Sequence, residues 1–136
     1  MAEGDKVLNV AVVSAERALW SGQAKSIVAK TPEGDIGILP GHEPVLALLV
    51  DSPLRIEETN GQKLVVAVHG GFFSVAGDEV NVIAEVAELA EDIDLERAQA
   101  ALARAQAAGV DDPDEISAMR RAETRIQAAG VAKSIR

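Results

Sequence analysis

Few side chains in this sequence could do chemistry. His42 sits in Gly41-His42-Glu43-Pro44 and His69 in Val68-His69-Gly70-Gly71. With Asp35 and Glu43, His42 could form an acid–base cluster, because an imidazole titrates near neutral pH and a carboxylate can orient it. A hydrolase built on it would also need an activated nucleophile. Ser14, Ser21 and Ser26 lie in strand or turn contexts without nucleophile-elbow spacing. Two histidines not paired at helical spacing make a poor zinc signature, and the chain has no cysteine. Gly34-Asp35-Ile36-Gly37 lacks the third glycine and the following helix of a phosphate loop. The other reactive groups are cations: Arg120, Arg121, Arg125, Lys133 and Arg136 gather towards the C-terminus. They suit the negative pole of a helix dipole, and equally an acidic partner or an anionic ligand.

Two kinds of element must position these groups. Up to about residue 90, apolar residues alternate or form short runs punctuated by Gly, Pro and Asn. Residues 7–13, 26–30, 45–50, 54–58, 64–68, 72–75 and 80–86 read as strands. In the last, Val80, Val82, Ala84 and Val86 share one face. Asn60-Gly61 is a hairpin turn, and Pro32-Glu33-Gly34 and Gly77-Asp78 are further turns. Beyond Ile93 the period becomes helical. Asp94 caps a helix running to about Ala108, with Leu95, Ala98, Leu102 and Ala105 on one stripe. Gly109-Val110-Asp111 breaks it. Asp112-Pro113-Asp114-Glu115 opens a second helix with Ile116, Met119, Ala122, Ile126 and Ala129 along its seam and Gly130 as its expected stop. The fold expected is an N-terminal antiparallel β-sandwich, residues 1–90, followed by a C-terminal two-helix antiparallel hairpin, residues 91–136. Alanine-rich seams bury little area per residue, so this hairpin should be marginal alone and able to change its docking.

Composition narrows the classes. The 136 residues carry a formal net charge of −9, with 2% aromatics. An acidic chain poor in aromatics argues against nucleic-acid binding and base or sugar stacking. The start, MAEGDKVLNV, has no basic segment followed by an apolar core, so no secretory signal is expected. No apolar run approaches the roughly 20 residues of a membrane span. A soluble protein is expected, reaching a membrane only through partners.

Gly34-Asp35-Ile36-Gly37-Ile38-Leu39-Pro40-Gly41-His42-Glu43-Pro44 resembles the signature segment of the epsilon subunit of bacterial F-type ATP synthases. Val13-Ser14-Ala15-Glu16-Arg17, Gly70-Gly71-Phe72 and Ile93-Asp94-Leu95-Glu96-Arg97-Ala98 agree with it in order, so the resemblance covers essentially the whole chain. It implies a non-catalytic central-stalk subunit on the cytoplasmic face of the bacterial cell membrane. The sandwich would hold the gamma subunit on one side and sit on the membrane rotor ring on the other, with Asp35 and His42 at the ring contact. The hairpin would regulate: folded on the sandwich, or extended into the catalytic head to block ATP hydrolysis, with Arg120, Arg121 and Arg125 facing the catalytic beta subunit (and alpha). The resemblance further implies ATP as a regulatory ligand of the folded hairpin, held by Ile93, Asp94, Arg97 and Ala98 with Glu88, Arg121 and Arg125; no other cofactor is expected. Two alternatives stay open: a stand-alone β-sandwich module binding carbohydrate or peptide, and a small hydrolase using His42. The first leaves the 34–44 segment unexplained and has only Trp20, Phe72 and Phe73 as aromatic supply.

Overall fold

A computed structural model describes residues 6–109 and 112–135. Nine strands precede two helices: β1 Leu8–Ser14, β2 Ala18–Thr31, β3 Gly34–Ile38, β4 Val45–Leu48, β5 Ser52–Glu58, β6 Lys63–His69, β7 Phe72–Ala76, β8 Glu79–Ala84, β9 Val86–Leu89, α1 Leu95–Ala108 and α2 Pro113–Ser134. Hydrogen bonding follows the order β4-β7-β8-β1-β2-β5-β6-β9, with β3 joined to β2. The two ends of this path fold over one another and share a core. Val10, Val12, Val80, Val82 and Phe73 on one side meet Leu54, Ile56, Val66 and Val68 on the other. Inward residues alternate with wet ones along β1, β5 and β8, as a half-buried strand requires.

Two departures from the sequence expectation decide the layout. β2 is far longer than the expected 26–30 strand. Its first half, with Ser21, Gln23 and Lys25 exposed, pairs β1, and its second half pairs β5 on one edge and β3 on the other. One strand thus serves both layers. The expected 80–86 strand is in fact two. Ala84 pairs Ser14 of β1, whereas Val86 pairs His69 of β6, so the chain changes layer at Glu85. A one-residue step inverts the alternation, which leaves Val86 38% exposed and buries Ala87. The sheet is also not wholly antiparallel, since β1 and β8 run parallel.

β6 is buried on both faces. Val66 and Val68 face the sandwich core, while Val65 and Ala67 face outward and meet Ala90 and Ala128 in a second apolar cluster, flanked by Ile93, Val131, Ala132 and Ile135. The hairpin is therefore docked on the sheet. α1 begins as expected, with Asp94 Oδ1 accepting from the Arg97 amide at 3.1 Å, and ends at Gly109 with φ 93°. Ala98 and Ala105 are buried, but Leu95 is 41% exposed and off the contact. Asp112 Oδ1 caps α2 through the Asp114 amide at 2.9 Å. Val110, Asp111 and Arg136 lie outside the described residues.

Gly130 does not stop α2, which continues to Ser134. Glycine inside a helix costs only about 1 kcal/mol relative to alanine, and the last turns offset this by packing Val131, Ala132 and Ile135 on the sheet. The same docking explains the seam. Ala122 is buried as expected, yet Thr124 and Ala128 are buried off the expected stripe, because α2 serves α1 on one face and β6 on another.

Candidate functional site

A groove of about 460 Å³ opens where the hairpin meets the sheet. Glu88 enters it from β9, Asp92, Ile93 and Asp94 from the connection, Arg97, Ala98, Ala101 and Arg104 from α1, and Arg125 from α2. The α1 residues recur at three, four and seven positions, so they share one helix face. Three guanidinium groups and three carboxylates thus line a space within the roughly 300–1,000 Å³ range of small-molecule sites. Of the residues implied for a nucleotide, Glu88, Ile93, Asp94, Arg97, Ala98 and Arg125 come together here. Arg121, half-buried one turn before Arg125, is not among the lining residues.

Three residues of this groove, Asp92, Ala101 and Arg104, escaped the sequence reading. Arg104 lies seven positions after Arg97, a spacing of two helical turns that could have placed it on the same face. Asp92 carried no such signal. His69 joins the site from beneath. It is only 4% exposed, and its Nε2 lies 3.0 Å from Glu88 Oε1. Nothing in the sequence could pair them, because their meeting depends on the β6–β9 register, in which Ala67 opposes Glu88 and His69 opposes Val86.

Arg125 Nε donates to the same Glu88 oxygen at 2.7 Å. This is the one ion pair that fastens α2 to the sandwich among the described residues, apart from any made by Lys6. The hydrogen bond from His69 holds the Glu88 carboxyl below its ordinary value of 4.5; burial opposes this, and the Arg125 bond and charge reinforce it. A carboxylate with a lowered pKa in the docked state contributes stability above its ordinary pKa, and that contribution is lost as pH falls through 4.5 towards the lowered value. Protection of the α2 amides, taken as the ratio of the intrinsic to the observed exchange rate at each pH, is expected to fall between pH 6 and pH 3. Glu88→Gln should show lower protection at pH 6 and lose its change with pH; a wild-type protection profile in that variant would remove Glu88 as the titrating group.

The other implied positions lie elsewhere. Asp35 is exposed on β3, opposite Lys30. His42 lies half-buried in the loop between β3 and β4, with Nδ1 2.6 Å from the Glu43 carbonyl oxygen. A carbonyl only accepts, so Nδ1 carries the proton and Nε2 of the neutral ring is an acceptor. The His42, Asp35 and Glu43 acid–base cluster does not form: the imidazole is engaged by backbone rather than by a carboxylate. Arg120 is exposed on α2. On the β4–β7–β8 surface, Leu48, Phe72 and Ile83 stand directly opposite one another and are 65%, 39% and 40% exposed, with Leu46 at 71% beside them. An apolar row of this kind along a sheet edge marks an interaction surface.

Residues 7–90, which span every strand and more than half of the chain, match the family profile of the ATP synthase delta/epsilon chain β-sandwich domain. The chain belongs to that family. ATP synthase epsilon chains similar to it include one from Streptomyces griseus, 46% identical over 124 residues, covering 91% of this chain and 96% of that one. One from Thermobifida fusca is 47% identical over 127 residues, covering 91% and 93%. Among solved structures, a chain of the Euglena gracilis mitochondrial ATP synthase, seen in an OSCP/F1/c-ring assembly, superposes with a TM-score of 0.73 at 23% identity, covering 98% of this chain and 86% of that one. A chain of the Tetrahymena thermophila enzyme's central stalk and c-ring gives 0.54 at 16% identity, covering 92% and 95%. These two likenesses establish a shared fold. Both extend past the strands, so the helices after residue 90 are part of the common architecture. As an epsilon-type chain it is a central-stalk subunit, and among the described residues no helix is long and apolar enough to cross a membrane.

Proposed function

We propose that this chain is a non-catalytic rotor subunit of an F-type ATP synthase that couples the catalytic head to the membrane rotor ring and regulates ATP hydrolysis, with the sandwich, residues 1–90, as its anchoring part and the hairpin, residues 91–136, as its movable one. The observation that carries this reading is the construction of the groove. Sheet, connection and both helices each supply part of it, so a ligand bound there bridges sandwich and hairpin and favours the docked arrangement. The donor set suits a nucleoside triphosphate. Arg97, Arg104 and Arg125 offer forked donors to phosphate oxygens, and Glu88, Asp92 and Asp94 offer acceptors to hydroxyl and amino groups.

Arg125 has two claims on it. In the docked state it serves Glu88; in an extended hairpin it would join Arg120 and Arg121 in facing an acidic surface of the catalytic beta subunit, with alpha beside it, and so block ATP hydrolysis. The exposed row of Leu46, Leu48, Phe72 and Ile83 is the surface proposed to hold the gamma subunit. Asp35 and His42, both acceptors, are the surface proposed to meet the rotor ring, at the cytoplasmic face of a bacterial membrane that the chain reaches only through these partners.

Titration calorimetry of the full chain with ATP is expected to give a saturable heat. Arg104→Ala should weaken binding by about tenfold or more, the loss expected for one charge-assisted hydrogen bond. Absence of heat at millimolar ATP would remove the nucleotide reading and leave the stalk reading standing.

A further inference from the structure

Asp78 breaks a local rule. β7 and β8 are joined by two residues, Gly77 and Asp78, with φ of 56° and 65°. That is a type I′ turn, in which both residues take left-handed conformations, and its second position is normally glycine. Asp78 is the only non-glycine with positive φ among the described residues. Left-handed backbone is disfavoured for any residue with a Cβ, and it persists where something else is gained by it.

What is gained is visible at the side chain. Asp78 Oδ1 accepts from the Gly41 amide at 2.7 Å, across 37 positions of sequence, and the Asp78 carbonyl accepts from the Asn9 amide at 2.8 Å. Gly41 is itself the corner of a turn. The His42 amide donates to the Leu39 carbonyl at 3.1 Å, Pro40 precedes Gly41, and Gly41 has φ 89°, which together make a type II turn. In such a turn the amide of the third residue makes no bond within the turn and is free for an outside acceptor. Without Asp78, the exposed segment between β3 and β4 would be fixed only at its ends and by its own turn bond.

We infer that Asp78 is a positioning residue: its carboxylate clamps the Pro40-Gly41 turn to the β7–β8 hairpin and thereby sets where His42 is presented to a partner. The functional half rests on the proposed ring contact of Asp35 and His42; the clamp itself does not.

Asp78→Gly is the informative variant, because glycine improves the type I′ turn while removing the carboxylate. Asp78→Asn keeps an oxygen acceptor and tolerates left-handed backbone. In the full chain, Asp78→Gly is expected to retain the wild-type unfolding midpoint or exceed it. Exchange of the Gly41 amide should accelerate by about tenfold or more, as loss of a charge-assisted bond implies, with Val66 and Val80 unchanged. Asp78→Asn should keep most of the Gly41 protection. In membranes carrying the assembled synthase, Asp78→Gly should lower ATP-driven proton pumping relative to ATP hydrolysis, and Asp78→Asn should restore it. Unchanged Gly41 exchange in Asp78→Gly overturns the clamp. If His42→Ala impairs pumping and Asp78→Gly does not, the positioning role is overturned although the contact is real. If neither variant impairs pumping while Gly41 is loosened, the ring-contact reading falls and takes the functional half with it.

Discussion

Gly71→Ala is expected to destabilise the chain by at least about 3 kcal/mol, a large share of the roughly 5–15 kcal/mol that holds a small domain together. Two independent penalties meet at this residue. Its φ of 118° lies where residues with a Cβ are strained. A Cβ built there would also lie 2.1 Å from the Ile83 carbonyl oxygen and 2.7 Å from Ala84 Cα. Both obstacles are backbone, so no side-chain rotation relieves them; the pairing of β7 with β8 would have to open. The Gly71 carbonyl also accepts from the Leu49 amide at 2.9 Å, which ties the end of β4 to the same spot. Gly37→Ala provides the control. Gly37 is exposed, its φ is ordinary and its added Cβ would meet nothing within 4 Å, so a change within about 0.5 kcal/mol is expected. Guanidinium unfolding of the two variants checks this, and equal midpoints would refute the account of Gly71.

The second large effect concerns the hairpin alone. Ala128 is 0% exposed, where α2 meets Val65, Ala67 and Ala90. Ala128→Glu places a carboxylate in an apolar contact with no cation assigned to it, at a cost of several kcal/mol. The area holding the hairpin down comes largely from alanines and should not offset that cost. Release of α2 is therefore expected, with the docked population falling by about a hundredfold or more, each 1.4 kcal/mol being tenfold. Glutamate is a good helix former, so the helix itself is not the target. Amide exchange should quicken along α2 and at the outer face of β6, while Val10, Val80 and Phe73 in the sandwich keep their protection. Unchanged exchange in α2 would show that the contact is not what holds the hairpin. In the assembled synthase the same variant should hydrolyse ATP more slowly, since the proposed inhibitory state is the extended one.

Much of the architecture was readable because it depends on local chemistry. The Asp94 and Asp112 caps, Pro113 at the start of α2, the Asn60-Gly61 turn and the alternation of β1 and β8 each express a preference of the residues themselves. Elsewhere a distant partner overrides the local signal. Gly130 is a plausible stop in an isolated helix, but the sheet beneath it makes continuation worthwhile. Residues 80–86 alternate as one strand, yet two neighbours compete for them and divide them at Glu85. The first half of β2 carries Leu19, Trp20 and Ala24, but Ser21-Gly22-Gln23 interrupts any strand pattern there, and it forms because β1 is there to pair with it.

The candidate site divides in the same way. Ile93, Asp94, Arg97 and Ala98 are close in sequence, so their type and spacing alone made them recognisable, whereas Arg104 was missed although it stands two helical turns after Arg97. By itself the sequence determined the element types, the change from sheet to helix near residue 90, the family, and the acidic and basic groups available for regulation. Only the tertiary structure decided which of those groups meet. Glu88 can hold Arg125 because β9 pairs with β6 in a register that sets His69 beneath it, and Asp78 reaches Gly41 because two turns 37 residues apart fold to one edge of the sandwich. Local preferences act through the backbone over a few residues, whereas contacts between remote side chains exist only once register and docking have been chosen by the burial of the whole chain.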